Sequence, residues 1–218
     1  MSLGRAALSL LTVATLLGAA TSARAADATE GSASDSSTAG TPSSLEVSAL
    51  VGMSVTQGNP AYEAATTSFR RVGVYSELGV GYRSSYFIDP FISVGYGALA
   101  SADTRMPDGE WGAAGTLHQN LGIWFISPGI TSDIWRFRLR LGIGLAIVKE
   151  GNTFHSDKNT ATQTPFAGQV GLGFNCYESH RFRLDVDARY VKAQGADVSF
   201  GLLGVTARGD LITFGGGS

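Results

Sequence analysis

Between Trp135 and Val148 the character of the chain changes at every residue. Trp135, Phe137, Leu139, Leu141, Ile143, Leu145 and Ile147 form one set, and Arg136, Arg138, Arg140, Gly142, Gly144 and Ala146 the other. Strict period two over this length marks a β-strand, because a helix would scatter both sets around its circumference. Phe182, Leu184, Val186, Ala188 and Tyr190 repeat the pattern against Arg181, Arg183, Asp185, Asp187 and Arg189. Phe166, Val170, Leu172 and Phe174 do so against Ala167, Gln169, Gly171 and Gly173. Further strands are read at 45–55, 72–83, 88–99, 113–125 and 198–207, making eight. In the fourth, Leu117-His118-Gln119-Asn120 puts a polar residue on either face, and in the eighth Leu202-Leu203 predicts a bulge near Gly204.

Alternation alone does not say which face is buried. Charged residues are only 16% of the chain, against about 25% in soluble proteins. Glycine supplies 29 of 218 residues, roughly double its usual ~7% share. Small residues and charges then suit a narrow lumen, and Leu, Ile, Val, Phe and Trp suit lipid. A transmembrane strand needs about 9–11 residues, which these segments supply. The connections between them alternate long (56–71, 100–112, 149–165) and short (84–87, 126–134, 176–180), with 192–197 as a short exception. Short periplasmic turns and longer extracellular loops are the habit of outer-membrane barrels. Tyr82, Tyr86, Phe87, Phe91, Trp124, Phe125, Trp135, Phe137, Phe174, Tyr177 and Phe182 flank the short turns as an aromatic girdle would. The expected fold is all-β: an eight-stranded antiparallel up-and-down transmembrane β-barrel.

The N-terminus sets the compartment. Arg5, the apolar run 6–20 and the Ala23-Arg24-Ala25 site read as a secretory signal peptide over 1–25, too short for a transmembrane helix. Its removal takes Arg5 and Arg24, leaving 14 basic and 18 acidic residues, a net charge of −4. Residues 26–44 are rich in Ser, Thr, Ala and Gly and read as a disordered tail. The barrel is expected over 45–214, with 215–218 as a flexible tail. The near balance of Lys+Arg (16) and Asp+Glu (18) speaks against nucleic acid as a partner.

No catalytic, cofactor or metal site is read from the residues, and no enzyme activity is expected. His118, His155 and His180 fall on a strand, a long loop and a short turn, with no second ligand at metal spacing. Cys176 is the single cysteine, so neither a disulfide scaffold nor a multi-cysteine metal site is available. Gly142-Ile143-Gly144 and Gly171-Leu172-Gly173 are strand glycines, with no strand-to-helix turn to hold a dinucleotide. His155-Ser156-Asp157 has the residue types of a triad, but neighbours in one loop rarely reach the required geometry.

The constellation that remains is a lumen charge network: Glu46, Glu77, Arg83, Arg138, Arg140, Asp185 and Asp187. Arg71, Arg136, Arg181, Arg183 and Arg189 are further candidate partners for these carboxylates. Charges in an eight-stranded lumen must be paired or solvated, because side chains fill it. Glu46 and Arg83 are expected to pair near the rim, and Arg140 to bridge Glu77 or Asp187 across the lumen. Such a network is either a plug that fixes register and blocks leakage, or the gate of a narrow pore.

With this pattern over 45–214, the chain resembles the small eight-stranded outer-membrane barrels of the OmpA/OmpX type, including the outer membrane protein beta-barrel domain group. The resemblance implies outer-membrane lipid and the barrel-assembly machinery as partners, a monomer, and residence in the bacterial outer membrane. Relatives often end in a Phe read by that machinery, whereas Phe214 is followed here by Gly215-Gly216-Gly217-Ser218. The implied function is structural, or surface interaction through long extracellular loops. Two alternatives stay open: a narrow channel or OmpW-like transporter of small or hydrophobic solutes, and a soluble periplasmic ligand-binding barrel.

Overall fold

A computed structural model describes residues 43–57, 68–84, 87–106, 114–155, 157–179, 181–196 and 198–214. The signal-peptide segment, most of the 26–44 tail, most of the 56–71 connection, His180, Ser156 and the 215–218 tail lie outside the described residues. Ten strands follow one another: β1 (Ser43–Gln57), β2 (Ser68–Arg70), β3 (Val72–Arg83), β4 (Asp89–Met106), β5 (Gly115–Ile134), β6 (Phe137–Phe154), β7 (Asp157–Gln163), β8 (Phe166–Glu178), β9 (Phe182–Gln194) and β10 (Val198–Phe214). β1 starts at Ser43, two residues inside the tail expected from composition.

All pairings are antiparallel, and eight strands close a ring in chain order. β1 pairs with β3, β3 with β4, β4 with β5, β5 with β6, β6 with β8, β8 with β9, β9 with β10, and β10 returns to β1. The short β2 and β7 prolong β3 and β8: β2 pairs with β4 at 101–103, and β7 with β6 at 148–154. Closure leaves no edge in the ring and satisfies every ladder within the protein, which a bilayer demands.

The strands outrun their sequence-predicted ends. The described parts of the 100–112 and 149–165 connections are largely strand, in β4, β6 and β7, with His155 at the β6–β7 turn, and 107–112 lie outside the described residues. The expected 126–134 connection lies inside β5, and the chain reverses at Trp135–Arg136 instead. Pro128 is tolerated because it is exposed and the β5–β6 pairing is interrupted there, between Ile126↔Leu145 and Gly129↔Gly142. Gly129 lies under the Phe91 ring, where a Cβ would collide. Trp135, expected on a lipid-facing strand, is instead a turn residue with φ 56° and 83% exposure. No register shift occurs at Gly204: Leu202 turns inward and Leu203 outward, Gly204 faces Gly52, and the shift falls at Leu45/Glu46.

The period-two pattern sorts as read. On β6, Leu139, Leu141 and Ile143 face out at 45%, 53% and 74% exposure, while Arg140 and Gly142 are buried inside. The interior, however, is not polar throughout. Towards the end opposite the short turns it carries a contiguous apolar cluster that includes Leu50, Tyr75, Leu99, Ile123, Phe125, Val148, Val191, Phe200 and Leu202.

Candidate functional site

The charged residues gather in the half of the lumen nearer the short turns. Arg138 Nη1 donates to Glu46 Oε1 at 2.8 Å, and Arg208 Nη1 donates to Glu46 Oε2 at 3.0 Å. Arg183 approaches the same carboxylate at 3.7 Å. One layer deeper, Glu77 Oε1 accepts from Arg140 Nη2 at 2.6 Å and from Arg189 Nη1 at 2.8 Å, while Tyr75 Oη donates to Oε2 at 3.1 Å. Arg208 grips Asp185 with two nitrogens, at 2.5 and 3.2 Å. Asp187 accepts from Thr206 Oγ1 and lies 3.4 Å from Arg189 Nη2.

These contacts arise because period two sends alternate residues of facing strands into one tube. Glu46, Glu77, Arg140, Asp185, Asp187, Arg189 and Arg208 are all buried. Buried charges need partners, and each of these has at least one. Neutral groups complete the shell: Ser93 Oγ accepts from Arg140, and Thr131 Oγ1 from Arg138. The Arg140 guanidinium also lies 3.8 Å from the Phe91 ring centre. A cavity of about 10 Å³, room for one water, remains among Glu46, Arg138, Arg140, Asp185, Arg189 and Arg208.

Of the residues expected in the network, Glu46, Glu77, Arg138, Arg140, Asp185 and Asp187 converge. Arg83 does not pair with Glu46. It stands at the rim opposite Ser44, and Glu46 is met instead by Arg138 from across the lumen and by Arg208 from the neighbouring strand β10. Arg136 and Arg181 are exposed at the short-turn end, Arg136 over the Trp135 ring at 5.8 Å. The sequence reading missed Arg208, Tyr75, Thr206 and Asp133. Continuing the alternation from Leu202 through Gly204 and Thr206 reaches Arg208, and continuing β5 past Pro128 reaches Asp133.

The outer face decides what surrounds the molecule. Along β6 it is apolar from Phe137 to Ile147, about 33 Å of strand at ~3.3 Å per residue. At a tilt of about 40° that is a band roughly 25 Å tall, the apolar height of an outer-membrane barrel. Beyond it the outward residues turn polar together: Lys149 on β6, Lys192 and Gln194 on β9, Asp103 and Arg105 on β4, Asn120 and His118 on β5. A soluble barrel would bury the apolar set that faces out here.

The chain is a bilayer-spanning β-barrel.

No protein-family model matches the chain, and none of the curated proteins matches it in sequence. Solved structures similar to it include Ail, the attachment invasion locus protein of Yersinia pestis, at 16% identity over 77% of this chain and 98% of that one, with a TM-score of 0.48. Neisserial surface protein A is 15% identical over 78% of this chain and 99% of that chain, with a TM-score of 0.48. The N-terminal β-barrel domain of Pseudomonas aeruginosa OprF is 15% identical, over 78% and 99% of the two chains, with a TM-score of 0.38. The likeness is one of fold alone.

Proposed function

We propose that this protein is a monomeric, non-enzymatic barrel of the bacterial outer membrane, with a plugged lumen and a structural or surface-interaction role. The observation that carries the reading is the pairing of a bilayer-high apolar belt with strands that run on past it at one end only. There β4, β5, β6 and β7 continue as a polar-faced sheet, in which Asp103 and His118 lie 2.7 Å apart and exposed. Short turns at the opposite end leave nothing comparable to present.

In this reading the short turns face the periplasm and the protruding sheet faces outwards. The belt meets outer-membrane lipid, and the barrel-assembly machinery inserts the chain. An epitope tag placed after His155, at the β6–β7 turn, tests the orientation. It should bind antibody on intact cells, while a tag at Arg136 should bind only once the outer membrane is breached. The opposite result would invert the topology.

A further inference from the structure

Resting on the bilayer-spanning reading, we propose that the apolar layer, not the ion-pair network, closes the lumen, and that the network lines a blind vestibule. The vestibule admits water and small ions only from the short-turn end. The geometry that points to this is the make-up of the buried apolar cluster. Every strand of the ring contributes to it: Leu50 from β1, Tyr75 from β3, Leu99 from β4, Ile123 and Phe125 from β5, Val148 from β6, Ala167 from β8, Val191 from β9, and Phe200 from β10. Each is at most 4% exposed, so the layer fills the whole cross-section of the tube.

The charged layer has a different texture. Its void of about 10 Å³ is lined by Glu46, Ser48, Arg138, Arg140 and Arg189, and the inward-facing Ser48 and Arg138 are only partly buried there, unlike the apolar residues just named. Arg140 Nε and Arg189 Nε are buried with no protein hydrogen-bond partner among the described residues, which leaves these two donors for an internal water. An apolar constriction resists wetting, so it blocks ions without needing a charge barrier. Tyr75 joins the two layers, its ring 5.6 Å from Phe200 and its hydroxyl on Glu77.

Planar-bilayer recording separates the two layers. The wild type and Glu77→Gln should carry no more current than lipid alone, and Phe125→Ser combined with Phe200→Ser should give discrete openings. Current through Glu77→Gln alone, or a silent but folded Phe125→Ser/Phe200→Ser barrel, would overturn the proposal. Because the double variant could fail to fold, a second arm keeps the apolar layer intact. A Ser48→Cys thiol in a Cys176→Ser background is exposed to Ag⁺ in nitrate buffer on one side of vesicles of known orientation. Reaction from the short-turn side alone is expected, and reaction from the other side, from both or from neither would contradict it. If the protein failed to insert into vesicles at all, the bilayer-spanning reading would fall instead.

Discussion

Tyr75 keeps its place because its neighbours lack side chains. Its ring and hydroxyl occupy the space above Gly95 and Gly97, where a Cβ would collide with them. Gly95→Ala must displace a fully buried aromatic that also donates to Glu77, and should cost about 1–3 kcal/mol as an overpacking change. Urea unfolding in detergent micelles would show it as an earlier midpoint, with Gly81→Ala nearly neutral because its Cβ meets only ordinary contacts. Glu77→Gln leaves Arg140 and Arg189 without their carboxylate, and losing one partner of a buried pair costs about 3–5 kcal/mol. Arg140→Met in that background should restore part of the loss, whereas strictly additive losses would mean the pair is not coupled. Identities inside the lumen were legible wherever alternation ran unbroken, as for Asp185 and Asp187. Partners were less so: Arg140 reaches Glu77, but Glu46 meets Arg138 from four strands away around the ring rather than Arg83, because chain order says little about reach across a tube.

Individual strands carry the membrane argument. Leu141 faces out midway along the apolar stretch of β6, so Leu141→Arg should cost about 2–4 kcal/mol and impair folding into bilayers. Gly142→Ala is no neutral control for it, because the added methyl would run into Ser127 Oγ and Gln169 Nε2. Gly81→Ala serves instead, and equal tolerance of Leu141→Arg and Gly81→Ala would overturn the face assignment. At the β5–β6 turn, Trp135 adopts a left-handed backbone with its ring almost wholly exposed. That conformation costs an L-residue roughly 1–2 kcal/mol, so Trp135→Gly should raise the unfolding midpoint. An unchanged or lower midpoint would show that the indole, beside Phe137, contributes as much as the backbone loses. Strand ends were the part of each element that sequence hid. Hydrophilic residues at 149–165 look like loop, yet a strand that has left the bilayer meets water on its outer face and stays paired. Pro128-Gly129 looks like a turn, yet an interrupted ladder and the Phe91 ring accommodate both within β5.

The whole molecule reverses the layering of a soluble protein twice. Apolar residues cover its outside across one band, and its inside divides into a charged half and an apolar half. Closure of the ring in chain order makes both possible, because it satisfies the backbone within the protein and leaves each face free to match its own solvent. The central claim is that this closed ring stands in a bilayer, and electrophoretic migration of detergent-extracted protein tests it most directly. A barrel whose ladders are all internal keeps its compact form in SDS until boiled, so the unheated protein should run ahead of the heated one, and the protein should be recovered from the membrane fraction. Identical migration before and after boiling, with the protein soluble in the absence of detergent, would contradict it.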